Sequence, residues 1–96
     1  MISEVIIYYS SNITNCPFCK MAREYFESEK IEYTEVDIAK DDDMRAKIVG
    51  ITKKDAWPQI KVNQYFLVGF KRPVVHGLIQ QISRIGKEQK EKKECQ

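Results

Sequence analysis

Residues 5–19 read VIIYYSSNITNCPFC, and this stretch decides the fold. Its first five residues are a continuous run of β-favouring side chains, which predicts a strand covered on both faces. A loop rich in turn-forming residues follows. Pro17 then stands where a helix begins, since the N–H that proline lacks would be unpaired in the first turn anyway. The stretch therefore predicts a buried strand that leads into a helix whose first residues carry two cysteines.

The helix that begins at Pro17 is amphipathic in sequence. Apolar side chains recur at helical spacing and predict one buried stripe, formed by Phe18, Met21, Ala22, Tyr25 and Phe26. On the opposite face, oppositely charged residues one turn apart are expected to pair, namely Lys20 with Glu24 and Arg23 with Glu27.

The middle of the chain continues the alternation of strand and helix. Residues 31–37 alternate between apolar and polar side chains and predict a second strand. The acidic run 41–43 favours the start of a second helix, because carboxylates stabilise the positive end of the helix dipole. We expect Gly50 to cap the end of this helix.

The last third of the chain predicts a hairpin and one more helix. Residues 59–62 and 65–68 are the two strands, joined by the turn Asn63-Gln64. A final helix is expected from Pro73 to Gly86, with an apolar stripe of Val75, Leu78, Ile79, Ile82 and Ile85. Residues 1–86 would then form one domain, and residues 87–96 a charged tail.

These elements predict an α/β fold. The first two strands are joined through a helix, so a right-handed crossover makes them parallel, whereas the last two strands are antiparallel. The result is a four-stranded mixed sheet flanked by three helices.

The bulk composition narrows the classes of function. Sixteen basic and fourteen acidic residues give a net charge of +2, too small to indicate binding to nucleic acid or to a membrane surface. The start Met1-Ile2-Ser3-Glu4 lacks the basic region and apolar stretch of a secretion signal. Three cysteines also do not suit a small secreted domain held by disulfides. We therefore expect a cytoplasmic protein, and we expect it to be a monomer.

Cys16 and Cys19 are spaced for redox chemistry. Cys16 is expected at the N-cap, where unpaired N–H groups and the helix dipole favour a negative charge, and Lys20 adds a positive charge one turn later. Such surroundings lower a cysteine pKa to about 3.5–7.5. Cys19 lies one turn further in, where it can attack a mixed disulfide on Cys16. Cys16 is therefore predicted to be the nucleophile and Cys19 the resolving thiol.

A zinc site and a pair of structural cysteines are the alternatives. Zinc needs about four ligands, and beyond the pair only His76 and Cys95 remain. We expect His76 on an exposed helix face and Cys95 in the tail. The sequence therefore favours redox chemistry, and no metal is expected.

Several stretches resemble the glutaredoxin family. The motif of residues 16–19, Cys-Pro-Phe-Cys, is similar to the family's Cys-Pro-Tyr-Cys. Residues 57–63, WPQIKVN, resemble its Thr-Val-Pro-Gln-Ile-Phe-Ile-Asn stretch, and Gly69-Phe70 falls where the second glycine of its Gly-Gly pair belongs. The resemblance covers about residues 5–85. Residues 11–13 are also similar to glutaredoxins of T-even bacteriophages.

The resemblance implies a thioredoxin-like fold and a glutathione-dependent thiol–disulfide oxidoreductase. Its substrates would be protein disulfides, including that of ribonucleotide reductase, and glutathione mixed disulfides. It also implies a cis Trp57–Pro58 peptide beside Cys16, with the Trp57 backbone pairing with an extended substrate. The substrate-binding residues it implies are Pro17, Phe18, Lys20, Trp57, Pro58, Gly69, Phe70 and Lys71.

The chain departs from the family pattern around the expected glutathione site. Val68 replaces the first glycine, and Lys71 and Arg72 stand where acidic residues usually follow. The loop before Cys16 has no lysine, so Lys53 or Lys54 would supply that charge.

Two alternative functions stay open. Gly69-Phe70 followed by Arg72-Pro73 is similar to redoxins that are recharged by thioredoxin reductase, so a ribonucleotide reductase donor of that kind is the second hypothesis. A third, an iron–sulfur carrier, is disfavoured by Cys19, because carriers of this family have Ser at that position.

Overall fold

The strand at the start of the chain, β1, is the element on which the fold is built. The computed structural model describes residues 2–13 and 16–95, with side chains described up to residue 83. The elements, in chain order, are β1 (Val5–Tyr9), α1 (Pro17–Ser28), β2 (Thr34–Asp37), a short 3-10 helix (Ile38–Lys40), α2 (Asp42–Thr52), β3 (Gln59–Val62), β4 (Tyr65–Val68) and α3 (Arg72–Cys95).

The four strands form one mixed sheet in the order β2-β1-β3-β4. β1 pairs in parallel with β2 on one side and antiparallel with β3 on the other. β3 and β4 form the antiparallel hairpin expected from the sequence, and Asn63 in its turn has a positive φ of 55°, a conformation that asparagine adopts more readily than most residues. The predicted α/β fold is thus confirmed.

Both faces of β1 are covered, because successive side chains of a strand point to opposite faces. On one face, Ile7 joins the core formed with α1 and α3, which includes Phe26 and Val75. On the other face, Tyr8 packs with Ile38 and Ile48 in a second, smaller cluster. The continuous apolar run of β1 is explained by this burial on both sides.

The second helix begins as the sequence predicts but ends later. The side chain of Asp41 accepts a hydrogen bond from the N–H of Met44 at 3.0 Å and caps the helix. The expected cap at Gly50 is wrong. The helix continues to Thr52, and Lys53 adopts the left-handed conformation, with its N–H bonded to the carbonyl of Val49 at 2.7 Å.

The buried stripe of α1 differs from the prediction at its start. Phe18 and Met21 are 51% and 46% exposed, and Cys19 takes the inward position of the first turn. Cys19, Ala22, Tyr25 and Phe26 are the buried residues of this helix. The prediction from apolar periodicity placed Phe18 and Met21 in the buried stripe and left Cys19 out, although cysteine is among the residues most often buried.

The last helix does not end at Gly86. It runs for 24 residues, from Arg72 to Cys95, because the segment after Gly86 is rich in lysine, glutamate and glutamine, which are good helix formers. The inward positions of Val75, Ile79 and Ile82 are confirmed, whereas the side chain of Ile85 lies outside the described residues. In the part of the chain that the structure describes, no helix is long and apolar enough to cross a membrane.

Candidate active site

Cys16 occupies the N-cap of α1, as the sequence predicts. Its backbone is extended (φ −79°, ψ 101°), and Pro17 is the first residue of the helix. The carbonyl of Cys16 accepts a hydrogen bond from the N–H of Lys20 at 3.3 Å, while its side chain makes no capping bond. The half-buried thiol therefore stands at the positive end of the helix dipole.

Cys19 lies one turn further along, in a different environment. It is 5% exposed, and its Sγ donates to Sγ of Cys16 at 2.8 Å. Burial, followed by the contact with Cys16, raises the pKa of Cys19 to about 12. Cys19 is thus a protonated thiol that can stabilise negative charge on Cys16, and the two sulfurs are close enough to form a disulfide after a small movement.

A cavity of about 530 Å³ opens beside Cys16. It is built from the end of β1, the loop after it and the first turns of α1. Besides the two cysteines, its described lining includes the hydroxyl-bearing residues Ser10 and Ser11 and the cations Lys20 and Arg23. The expected partner of Arg23 is wrong. Arg23 pairs with Glu35 of β2 at 3.6 Å, because it turns toward the cavity and the sheet rather than along the helix.

The loop before β3 contains the cis Trp57–Pro58 peptide that the family resemblance implied. Pro58 is fully buried, and Trp57 is half-buried against the cluster of Tyr8, Ile38 and Ile48. The Nε1–H of Trp57 donates to Asp55 at 3.0 Å.

Asp55 also accepts hydrogen bonds from the guanidinium of Arg45 on α2. First Arg45 and then Trp57 hold the pKa of this carboxyl below its ordinary value. Sequence reasoning missed this contact, because Arg45 and Asp55 lie in different elements and follow no local spacing. Together the two contacts tie the loop to α2.

The segment between β4 and α3 contacts this loop through a backbone hydrogen bond. The N–H of Gly69 donates to the carbonyl of Pro58 at 2.7 Å, and Gly69 has a φ of 77°, which favours glycine. Phe70 is 3% exposed and packs against Tyr25, so its side chain belongs to the core and only its backbone is free to contact a substrate. Lys71 is exposed.

Tyr25 links α1 to α3, which the sequence did not indicate. Its hydroxyl lies 2.9 Å from Nδ1 of His76, and the guanidinium carbon of Arg72 lies 5.8 Å from the centre of its ring. His76 is exposed, as expected, but it has this partner. Among the described residues, no group of three or more His, Cys, Asp or Glu side chains is placed to hold a metal ion, and the side chain of Cys95 lies outside them.

The structure places the predicted site residues in two groups. Cys16, Pro17, Cys19 and Lys20 share the cavity. Trp57, Pro58 and Gly69 belong to a second group, joined by the hydrogen bond between Gly69 and Pro58. Phe18 is exposed two residues after Cys16, where a partner protein can reach it.

Comparisons with known proteins agree with this arrangement. The glutaredoxin family profile matches residues 5–67. An uncharacterized glutaredoxin-like 8.6 kDa protein in the rubredoxin operon of Clostridium pasteurianum is 31% identical over 65 residues, which cover 68% of this chain and 87% of that protein.

Solved structures show the same fold. A glutaredoxin from Archaeoglobus fulgidus superposes with a TM-score of 0.68 at 22% identity, covering 81% of this chain and 87% of its own. A variant of a thioredoxin-like protein gives a TM-score of 0.64 at 20% identity, covering 86% of this chain and 97% of its own. The chain belongs to the glutaredoxin family and is a thiol–disulfide oxidoreductase of thioredoxin-like fold.

Proposed function

We propose that the chain reduces protein disulfides and glutathione mixed disulfides through Cys16 and Cys19, with glutathione as the reductant. The observation that carries this proposal is the asymmetry of the two thiols. Cys16 is accessible at a helix N-terminus, whereas Cys19 is buried, protonated and 2.8 Å away. A nucleophile and a resolving thiol need this difference.

A protein disulfide is reduced in two exchanges. The thiolate of Cys16 attacks one sulfur of the partner, its S–S bond breaks, and the sulfur that leaves takes up a proton. Cys19 then gives up its proton and attacks Sγ of Cys16, which releases the second partner thiol and leaves a Cys16–Cys19 disulfide. Two electrons have moved from the two cysteines to the partner. Two glutathione molecules then reduce the Cys16–Cys19 disulfide and are oxidised to glutathione disulfide.

A glutathione mixed disulfide needs only the first thiol. Cys16 attacks the glutathione sulfur and releases the protein thiol, and a second glutathione then resolves the intermediate. We assign the binding of glutathione to the backbone of Trp57 and Gly69 and to the start of α3 at Lys71, because unpaired amides at a helix start suit a carboxylate. Reduced thiols persist in the cytoplasm, where we place the chain, and the proposed chemistry needs only one copy of it.

A second candidate reductant is thioredoxin reductase, with ribonucleotide reductase as the protein that receives the electrons. The exposed cations Lys71 and Arg72 favour it, because positive charge at the start of α3 opposes the ammonium group of glutathione.

A coupled NADPH assay tests the proposal. The protein is incubated with a disulfide substrate and either glutathione plus glutathione reductase or thioredoxin reductase alone. We expect turnover with glutathione. Turnover with thioredoxin reductase alone would transfer the function to the second candidate, and no turnover with either would refute both. The Cys19→Ser variant, checked for folding, should retain reduction of the glutathione mixed disulfide and lose reduction of the protein disulfide.

A further inference from the structure

The cavity beside Cys16 carries two cations, of which only one has an acidic partner among the described residues. Lys20 and Arg23 both line it. Within the described residues Lys20 forms no ion pair, and the pair between Arg23 and Glu35 is a single contact of 3.6 Å in which Arg23 is 36% exposed. A loose pair at the surface contributes little, so both cations are available to a bound anion.

The carboxylates closest to this cavity already have partners. Glu35 is the acceptor of the pair with Arg23. Asp37 accepts the backbone N–H of Ser11 at 3.0 Å and that of Ala39 at 3.1 Å, which holds its carboxylate against the loop after β1 and the start of the 3-10 helix while it keeps its negative charge. Neither carboxylate is among the described lining of the cavity, so the charged side chains that face an occupant are Lys20 and Arg23.

The residues to which we assign glutathione binding do not contribute to this cavity. Its described lining comes from β1, the following loop and α1, whereas Trp57, Gly69 and Lys71 belong to the loops before β3 and α3. Cys16 itself lines the cavity. A molecule bound in the cavity would therefore lie against Cys16. A separate ligand there would block the reaction, whereas a segment of the disulfide substrate itself would not.

We propose that this cavity binds an acidic segment of the protein disulfide substrate, with a carboxylate placed beside Lys20 and Arg23. The proposal rests on the reductase function proposed above and adds the class of substrate. A volume of about 530 Å³ is in the range that binds several side chains. Ile13 and Pro17 provide the apolar part of the lining, so the segment that fits best carries an apolar side chain next to its acid.

Model peptides measure the effect directly. Three peptides share one disulfide and one apolar flanking residue and differ only in the neighbouring residue, which is Glu, Gln or Lys. The second-order rate constant for oxidation of the reduced protein by each peptide is measured by rapid quenching. One unit charge at ~5 Å in a watery environment corresponds to about a fourfold change in rate, so we expect the Glu peptide to react about fourfold faster than the Gln peptide and the Lys peptide more slowly.

Three variants locate the effect. Lys20→Gln should reduce the Glu-to-Gln rate ratio toward one. Lys47→Gln removes the same charge from an exposed position on α2 and should leave the ratio unchanged. Lys71→Gln removes a charge at the start of α3 and tests that position as the competing site for the acid. The ratio is the readout because Lys20 also influences the reactivity of Cys16 toward every peptide.

The outcomes separate the two proposals. Equal rates for all three peptides, with reduction intact, would overturn the acidic cavity and leave the reductase function standing. A ratio that is lost in Lys71→Gln but kept in Lys20→Gln would place the acid at α3 and also overturn it. Failure to reduce any of the peptides would refute the reductase function itself.

Discussion

The burial of Cys19 should slow the alkylation of this thiol, and the rate of alkylation can be measured. At pH ~8 a thiol with an ordinary pKa of about 8.5 is roughly a quarter ionised, whereas a thiol with a pKa of about 12 is ionised to about one part in ten thousand. The ionised fraction therefore falls about two-thousandfold. A more basic thiolate is intrinsically more nucleophilic, by about fiftyfold over these roughly 3.5 pKa units, which leaves Cys19 about fortyfold slower than an ordinary thiol.

The experiment uses iodoacetamide on the reduced protein in a Cys95→Ser background, followed by peptide mapping with mass spectrometry. We expect Cys16 to be modified first and Cys19 to react about fortyfold more slowly than the cysteine of an unstructured reference peptide. In Cys16→Ser a hydroxyl replaces the sulfur that Cys19 contacts at 2.8 Å, but burial, the larger cause of the raised pKa, persists. Cys19 should therefore remain slow in this variant. Alkylation of Cys19 at the rate of the reference thiol would refute the reasoning.

Three further changes test other parts of the chain. Lys71→Asp should raise kcat/KM for a glutathione mixed disulfide roughly two- to fivefold, and the gain should shrink as salt screens the charge; an unchanged or lower value would contradict this. Tyr25→Phe, which removes the hydroxyl 2.9 Å from His76, should lower the free energy of unfolding by about 1 kcal/mol and the melting temperature by about 4–8 °C; an unchanged melting temperature would show that the contact contributes nothing. Cys95→Ser should keep full reductase activity, because the proposed chemistry uses two thiols, and a loss would bring a third thiol into it.

The sheet was predictable because its signals are local. The apolar run of β1 and the Asn63-Gln64 turn each specify an element over a few residues. The crossover rule then orients β1 and β2 without any knowledge of contacts. The ends of α2 and α3 were not predictable in the same way. A glycine permits a helix to end but does not force it to. After Gly86 the residues are good helix formers and favour continuation, whereas after Gly50 the helix continues only through Ile51 and Thr52 and ends at the left-handed Lys53.

The contacts between elements were the part that the sequence did not reveal. The ion pair of Arg23 with Glu35 and the hydrogen bond of Asp55 with Arg45 join residues ten or more positions apart. Pairing rules for a single helix see only neighbours three or four residues away, so they assigned Arg23 to Glu27. In the structure Glu27 accepts from the hydroxyl of Tyr33 at 2.6 Å, and Arg23 is left to line the cavity.

The placement of the two cysteines was predictable because it follows from one helix. Two residues three positions apart at a helix start lie on the same side and one turn apart, so the first is held at the cap while the second meets the body of the domain. That displacement alone gives Cys16 an open position and Cys19 a buried one. The cavity beside them could not be predicted from the helix alone. It lies where the end of β1 meets α1, and the ion pair with Glu35 holds Arg23 on the side of β2. A chain with the same Cys-Pro-Phe-Cys motif but without this basic pair should keep the thiol chemistry and lose the preference for acidic substrates.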